Sequence, residues 1–139
     1  MIAKAFPFLS IIVLLFAMGF FMLASPPLLI LKHDTPLDGR FIRGLFNIYY
    51  LSVMLIAAVG AAGCVLLGQN AVALAMSGLV VFVFATRLSV ISSMDRLRGA
   101  IGRGDAVAVP RFRRLHIAGM VLNVVQLGMV AWGMTRLAA

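Results

Sequence analysis

Four long apolar runs dominate this chain of 139 residues, and they restrict it to folds that place helices in hydrocarbon. The runs cover 6–31, 45–68, 71–93 and 115–136. Each supplies about the 20 residues that an α-helix needs to cross a bilayer. None of them alternates polar and apolar residues as a strand does. The sequence therefore predicts an all-α integral membrane protein, a single domain over 1–139 with four transmembrane helices in an up-down bundle.

The composition agrees with a lipid environment. Of all residues, 63% are hydrophobic and 12% are charged, against about 45–50% and about 25% in soluble domains. The formal net charge of +8 would suggest nucleic acid in a soluble protein. Here the basic residues lie between the apolar runs, so we predict contacts with lipid and none with nucleic acid. The preference for arginine over lysine resembles the usage of a GC-rich bacterial genome.

The basic residues also predict the orientation of the helices. Nine of the 12 lie in the connections 32–44 and 94–114, two lie near the termini, and Arg87 lies inside an apolar run. The nine are Lys32, Arg40, Arg43, Arg96, Arg98, Arg103, Arg111, Arg113 and Arg114. Cytoplasmic connections of membrane proteins carry the excess of Lys and Arg. We therefore expect both connections in the cytoplasm and both termini on the periplasmic side of a bacterial inner (plasma) membrane.

Prolines and glycines mark the expected ends of the helices. Pro26-Pro27 should kink or end the first helix, because proline lacks a backbone donor and clashes with the preceding turn. Gly104-Asp105 is the expected turn before the fourth helix, with Pro110 as a break. The start of the chain resembles a signal peptide up to Ser25. The apolar run continues beyond that point, so we expect an uncleaved helix.

Two stretches resemble a known family. The first is Gly39-Arg40, Leu45-Phe46 and Tyr49-Tyr50; the second is Phe112-Arg113-Arg114-Leu115-His116, with Asn123 seven residues on. Together they are similar to the four-helix membrane family called domain of unknown function 4149, which includes relatives of the human transmembrane protein numbered 205. The resemblance implies a four-helix membrane fold and a membrane location, and it implies no activity.

The fourth run carries a polar stripe, formed by His116, Gly119, Asn123 and Gln126 at steps of three, four and three residues. This spacing puts them on one helix face. In lipid that face should turn inward, because exposed amides have no water to pair with. One interpretation is a ligand or proton site, with His116 as ligand or shuttle. The other is structural hydrogen bonding between helices, at about 0.6–2 kcal/mol per contact.

Arg87 is the one charge well inside an apolar run. Charges within a membrane usually face the bundle interior or a partner, so Arg87 joins the candidate intramembrane polar site. The alternative is structural: the side chain reaches the cytoplasmic headgroups by snorkelling or pairs with a neighbour. Tyr49, Tyr50 and Trp132 lie near the ends of runs, where aromatic belts of membrane proteins meet the headgroups.

Small residues recur at intervals of three and four residues in the second run, at Ala57, Gly60, Cys64 and Gly68. Such spacing lets helix backbones approach closely, so we predict a helix-packing seam there, within the bundle or against a partner subunit. Cys64 is then a small seam residue, because no Cys or His stands at metal-ligand spacing from it.

The arginines of the 94–114 connection are predicted to contact anionic lipids of the inner leaflet, at about 1 kcal/mol for each residue. They are Arg96, Arg98, Arg103, Arg111, Arg113 and Arg114. An acidic partner is the alternative.

Catalytic patterns are absent from the sequence: it has no paired carboxylates in a run, no Gly-rich phosphate loop and no Ser/His/Asp set in a plausible pocket. We therefore predict no enzyme, no catalytic residues and no cofactor or metal. Haem, or a metal ion on His33, Asp34 and His116, stays open as an alternative. The preferred hypothesis is a non-catalytic accessory, assembly or packing subunit with a membrane-protein partner or in a homo-oligomer. The alternative is a bundle that handles a small molecule, haem or an ion through the stripe of the fourth helix.

Overall fold

The computed structural model describes the backbone of residues 2–138 and the side chains of residues 5–135. Within these ranges the chain is helical, and no strand is present, as predicted. The long helices are α1 (Ile2–Ala24), α2 (Pro36–Leu66), α3 (Asn70–Gly102) and α4 (Ala108–Ala138), with a 3-10 helix at Pro26–Ile30. All four long helices are apolar enough to cross a membrane and have sufficient length.

Helix α1 ends at the paired prolines, which confirms that prediction. The Ser25 N–H still donates to the Phe21 carbonyl at 3.1 Å, and the Leu28 N–H then donates to the Ser25 carbonyl at 3.0 Å. The chain therefore passes from the last α-helical turn directly into the 3-10 helix. Ser25 is buried at this junction, because the helix ends inside the bundle.

Helix α2 begins at Pro36, nine residues before the predicted membrane-spanning segment that starts at 45. The local sequence explains this start. The Thr35 side chain accepts a hydrogen bond from the Asp38 N–H at 3.1 Å, which satisfies one of the free donors of the first turn. Pro36 suits the first helical position, where no N–H is needed.

Gly68 lies beyond the end of α2, so the prediction that it packs in a helix seam within the bundle is wrong. The helix ends at Leu66, and Gly68 adopts a φ of 72° in the turn to α3. The following Gln69 N–H donates to the Cys64 carbonyl at 2.8 Å. Glycine at this position allows the left-handed backbone that caps many helices. Gly68 is exposed, and a Cβ added to it would meet nothing within 4 Å.

The connection from α3 to α4 turns at Gly104 and Asp105, as predicted. Gly104 has a φ of 83°, and the Asp105 side chain accepts from the Val107 N–H at 3.0 Å. The predicted break at Pro110 is wrong, because α4 already begins at Ala108. Proline is tolerated in the first turn of a helix, where its missing N–H has no carbonyl to bond.

The helices pack as a ring in which α1 contacts α2, α2 contacts α3, α3 contacts α4, and α4 closes against α1. The short connections make sequence neighbours antiparallel. One end of the bundle holds the start of α2, the end of α3 and the start of α4. We call it the arginine-rich end, because it carries Arg96, Arg98, Arg103, Arg111, Arg113 and Arg114. The larger apolar core lies towards this end, around Phe46, Met94 and Phe112.

Candidate functional site

The polar stripe of α4 faces the interior of the bundle. His116 is 0% exposed, Asn123 5% and Gln126 1%, and Gly119 between them is also buried. The spacing along α4 fixes their common face. The apolar residues of the opposite face, among them Val121 and Val125, are exposed. The interior therefore receives the polar side chains and the outside receives the apolar ones.

His116 is hydrogen bonded to two residues far away in the chain. Its Nδ1 lies 3.0 Å from Nε2 of His33, and its Nε2 lies 3.2 Å from Oγ of Ser25. Both partners are buried. Ser25 lies just after the end of α1, and His33 lies in the segment between the 3-10 helix and α2. His33 has a φ of 63°, which is uncommon for a residue with a Cβ.

Two phenylalanines cover the histidine pair. The ring of Phe46 stands edge-on to His116, with centroids 5.5 Å apart and an interplanar angle of 81°. Phe112 lies beside His33 at 6.0 Å, and both phenylalanines are fully buried. Gly119 makes room for Phe46, because a Cβ added at 119 would lie 2.5 Å from Cε1 of that ring. The pair therefore sits in an apolar enclosure.

Tyrosines of α2 extend the polar region along the bundle. The Tyr49 hydroxyl donates to Oε1 of Gln126 at 3.1 Å, and the Tyr50 ring packs against Tyr49 with centroids 5.2 Å apart. Both tyrosines are buried, so their predicted place in an aromatic belt is wrong. Helix α2 starts at Pro36, which puts Tyr49 more than three turns inside it. Trp132 is exposed, as a belt residue would be.

Several buried polar atoms of this region have no hydrogen-bond partner among the described residues. They are Nδ1 of His33, the hydroxyl of Tyr50, Oδ1 of Asn123 and Nε2 of Gln126. Such orphaned groups are rare in native interiors, because each has lost its bonds to water. We use the name polar network for Ser25, His33, Tyr49, Tyr50, His116, Asn123 and Gln126.

Arg87 is paired with Asn47 of α2 and not with the polar network. Its Nε and one terminal nitrogen donate to Oδ1 of Asn47, at 3.1 and 2.9 Å. The arginine is half-buried, as is its partner. The pairing agrees with the structural alternative for Arg87, a neighbour on the next helix. Its grouping with the α4 stripe stays a prediction that these contacts do not support.

At the arginine-rich end, one carboxylate joins two helices. Arg43 of α2 donates through two nitrogens to Asp95 of α3, each at 3.1 Å, and Arg98 approaches the same carboxylate at 3.5 Å. All three side chains are about one-third exposed. The ion pairs therefore add little to the stability of the fold, although they join α2 to α3. The remaining arginines of this end, Arg96, Arg103, Arg111, Arg113 and Arg114, are exposed.

The packing seam of α2 contains three of the four predicted residues. Ala57, Gly60 and Cys64 are buried. A Cβ added to Gly60 would lie 2.7 Å from Sδ of Met76 on α3 and 3.3 Å from Cβ of Ser10 on α1. Gly60 therefore allows α2 to approach both neighbouring helices.

A partly open apolar groove of about 560 Å³ lies towards the end opposite the arginines. It is lined by α1, α3 and α4, with Leu14, Met76, Phe82 and Trp132 among its walls. Small residues of α3, Ala71, Ala75 and Gly78, leave this space between the helices.

Within the described residues, no group of three or more His, Cys, Asp or Glu side chains is placed to hold a metal ion. His33 and His116, two members of the predicted alternative site, bond to each other through ring nitrogens. The third, Asp34, is exposed.

Sequence reasoning missed Ser25, Tyr49 and Tyr50 as members of the polar network and Asn47 as the partner of Arg87. A weak signal existed for Ser25, because a hydroxyl directly before two prolines lies at a helix end. The sequence suggests His33 only as a metal ligand, and no local pattern pairs it with a residue 83 positions away. Comparisons of the chain with protein-family models, with curated protein sequences and with solved structures found no match.

Proposed function

We propose that the chain is an integral membrane protein that crosses a bacterial inner membrane four times, with the arginine-rich end in the cytoplasm. Four sufficiently long apolar helices support the crossing, and the nine-to-two distribution of basic residues supports the orientation. Membership of the domain of unknown function 4149 family belongs to the same proposal, because that family has the same expected architecture.

The orientation predicts the behaviour of reporter fusions. Alkaline phosphatase fused after the last residue should be active and green fluorescent protein fused there should be dark, because both termini lie outside the cytoplasm. The same reporters inserted into the 103–107 connection should give the reverse result, because the neighbouring arginines keep this connection inside. Phosphatase activity per cell reports the first reporter, and fluorescence per cell reports the second. A fluorescent fusion at the C-terminus would contradict the orientation.

We infer that the protein acts through its polar network, which lets a small hydrogen-bonding species enter and cross the bundle. The observation that carries this inference is the burial of His116, Asn123 and Gln126 together with unpartnered polar atoms beside them. Buried polar groups in lipid cost free energy unless they are paired. Polar groups inside a membrane domain therefore mark candidate paths or binding sites.

The chemistry of the network favours a proton, water or a neutral polar solute over a metal or salt ion. Its members are hydroxyl, imidazole and amide groups, with no carboxylate, lysine or arginine among them. A resident metal or salt ion would lack a counter-charge in an apolar enclosure, which is unfavourable. A proton differs, because imidazole and hydroxyl groups can pass it on and be neutral before and after its passage. The unpartnered atoms include an acceptor at Asn123 and a donor at Gln126, so they suit a species that both donates and accepts.

Purified protein in lipid vesicles tests this function with three probes: protons, urea and glycerol. We expect at least one probe to cross faster than in protein-free vesicles, and Asn123→Leu to slow it, because leucine removes the amide at similar size. The control is Val124→Leu, on the exposed face next to it. A trapped pH dye reports protons and light scattering reports the solutes. Equal rates with and without protein for all three probes would refute the proposal.

A subunit that packs beside another membrane protein is the second candidate, and the apolar groove favours it. The groove opens between helices that otherwise close a ring, so a further helix could complete the packing. The same preparation separates the candidates. A stoichiometric partner in mild detergent, with all three probes crossing at the protein-free rate, would favour this second function.

A further inference from the structure

We propose that Ser25, His116 and His33 form a proton relay whose terminal group is Nδ1 of His33. This inference rests on the proposed function and names the species handled as a proton. It assigns a role to two residues outside α4, Ser25 at the end of α1 and His33 in the segment before α2.

The relay is continuous in the structure. The Ser25 hydroxyl lies 3.2 Å from His116 Nε2, and His116 Nδ1 lies 3.0 Å from His33 Nε2. Both separations are within hydrogen-bond range. His116 therefore uses one ring nitrogen on each side, which is the arrangement that lets a ring receive a proton at one atom and release it at the other. His33 uses Nε2 in the relay, and its Nδ1 has no partner among the described residues.

Two hydrogen arrangements satisfy the same two distances. In the first, the Ser25 hydroxyl donates to His116 Nε2, the His116 Nδ1–H donates to His33 Nε2, and the hydrogen of His33 lies on Nδ1. In the second, the His33 Nε2–H donates to His116 Nδ1, the His116 Nε2–H donates to Ser25 Oγ, and His33 Nδ1 has a free lone pair. Every ring is neutral in both arrangements, since each imidazole carries one hydrogen.

Passage of one proton converts the second arrangement into the first. A hydronium ion gives a proton to His33 Nδ1, and the Nε2 proton of His33 moves to His116 Nδ1. The Nε2 proton of His116 then moves to Ser25 Oγ, and the hydroxyl releases its former hydrogen to water. Three bonds to hydrogen form on the relay and three break, and no electrons are transferred. The opposite conversion carries a proton the other way, and rotation of the groups resets the relay.

Two further features of His33 support a terminal role. Its Nδ1 is buried and has no partner in the described part of the chain, as expected for a group whose partner is mobile. Its backbone is left-handed, with a φ of 63°, which is unfavourable for a residue with a Cβ. The hydrogen bond to His116 helps to hold this conformation. Strained residues of this kind concentrate at functional sites.

The walls of the site keep a proton on this path. Phe46 and Phe112 cover the rings, and no charged side chain among the described residues hydrogen bonds to either histidine. The proton therefore meets no competing base between Ser25 and His33.

Nitrogen NMR of protein labelled with ¹⁵N-histidine, in lipid nanodiscs, tests the coupling of the two rings. We expect His33 and His116 to occupy the same tautomer at any time, because a donor on one ring requires an acceptor on the other. The Ser25→Ala variant should change the tautomer balance of both rings, including His33, which does not contact Ser25. Two rings in opposite tautomers, or a change confined to His116, would overturn the relay.

Proton entry into vesicles under a potassium–valinomycin potential tests the path itself. Ser25→Ala should lower the protein-dependent rate about tenfold or more, as loss of a positioned proton carrier does, and Ser25→Thr should restore much of it. Ser92→Ala is the matched control, because that serine is exposed and bonds only to its own helix carbonyls. A rate unchanged in Ser25→Ala, or urea or glycerol crossing without protons, would overturn the relay and leave the proposed function standing. No crossing by any probe would overturn both.

Discussion

Replacement of Gly119 by leucine should destabilise the protein by about 3 kcal/mol, the upper part of the range for overpacking a well-packed interior. A Cβ at this position would lie 2.5 Å from Cε1 and 3.1 Å from Cζ of Phe46. Phe46 is only 2% exposed and belongs to the apolar core, so its ring moves only if buried neighbours move with it. The clash must therefore separate α4 from α2 or displace the ring that covers His116.

Cys64 offers a direct measurement of this effect. It is the only cysteine in the sequence, and it is fully buried. The rate at which a thiol reagent modifies it in mild detergent reports how often the bundle opens. We expect faster modification in Gly119→Leu than in the unmodified chain, and an intermediate rate in Gly119→Ala.

Gly128→Leu is the matched control, because it lies on the same helix and a Cβ there would meet nothing within 4 Å. It should leave the rate of Cys64 modification within about twofold of that in the unmodified chain, since an outward-facing leucine neither clashes nor loses a contact. Combining Gly119→Leu with Phe46→Ala should recover part of the loss, because it removes the clashing ring. Equal Cys64 rates for the two leucine variants would show that Phe46 does not fill the space at Gly119.

Replacement of His116 by alanine should cost about 3 kcal/mol or more. It leaves a cavity of the size for which large-to-small core changes cost about 2–5 kcal/mol. It also leaves His33 Nε2 and Ser25 Oγ without their present partner in an apolar enclosure, and orphaned buried groups cost about 1–3 kcal/mol each. Both effects lower the free energy of unfolding. We therefore expect His116→Ala to destabilise the protein more than alanine at any other histidine or serine of the chain.

The neighbouring change Ile117→Ala is the control, because Ile117 faces outward and is 44% exposed. The free energy of unfolding of both variants can be measured by denaturant titration in mild detergent, and Ile117→Ala should lower it by less than about 1 kcal/mol. The double variant His33→Ala with His116→Ala should lose less stability than the two single variants together. The reason is that each single change already breaks the hydrogen bond that the two histidines share. Strict additivity would mean that the 3.0 Å contact does not contribute to the stability of the fold.

Sequence and structure agree on several features that local rules decide. Runs of apolar residues predict the four helices, and the paired prolines predict the end of α1. The spacing of His116, Asn123 and Gln126 predicts their common face, because a helix turns by a fixed angle per residue. The inward direction of this face follows from the cost of unpaired polar groups in lipid. Local rules of the same kind explain the turn at Gly104 and Asp105.

The errors of the sequence analysis also have local causes. Pro110 was expected to break a helix, and instead it lies in the first turn, where its missing donor has no effect. Gly68 continues the small-residue spacing but lies past the end of α2, in the turn where a positive φ is needed. The predicted belt position of Tyr49 and Tyr50 depends on a helix that starts at residue 45. Helix α2 starts nine residues earlier, at Pro36, so both tyrosines lie well inside it.

Only the tertiary structure decided which residues meet across the bundle. His116 bonds to residues 83 and 91 positions away, and Tyr49 bonds to Gln126 over 77 positions. These pairings depend on the rotation of each helix about its axis and on the path of the segment between α1 and α2. The sequence by itself fixes neither, because helices that are apolar on most faces can pack in lipid in several rotations at similar cost. Close packing at Gly60 and Gly119 selects one of them, and that selection brings Ser25, His33 and His116 into one hydrogen-bonded row.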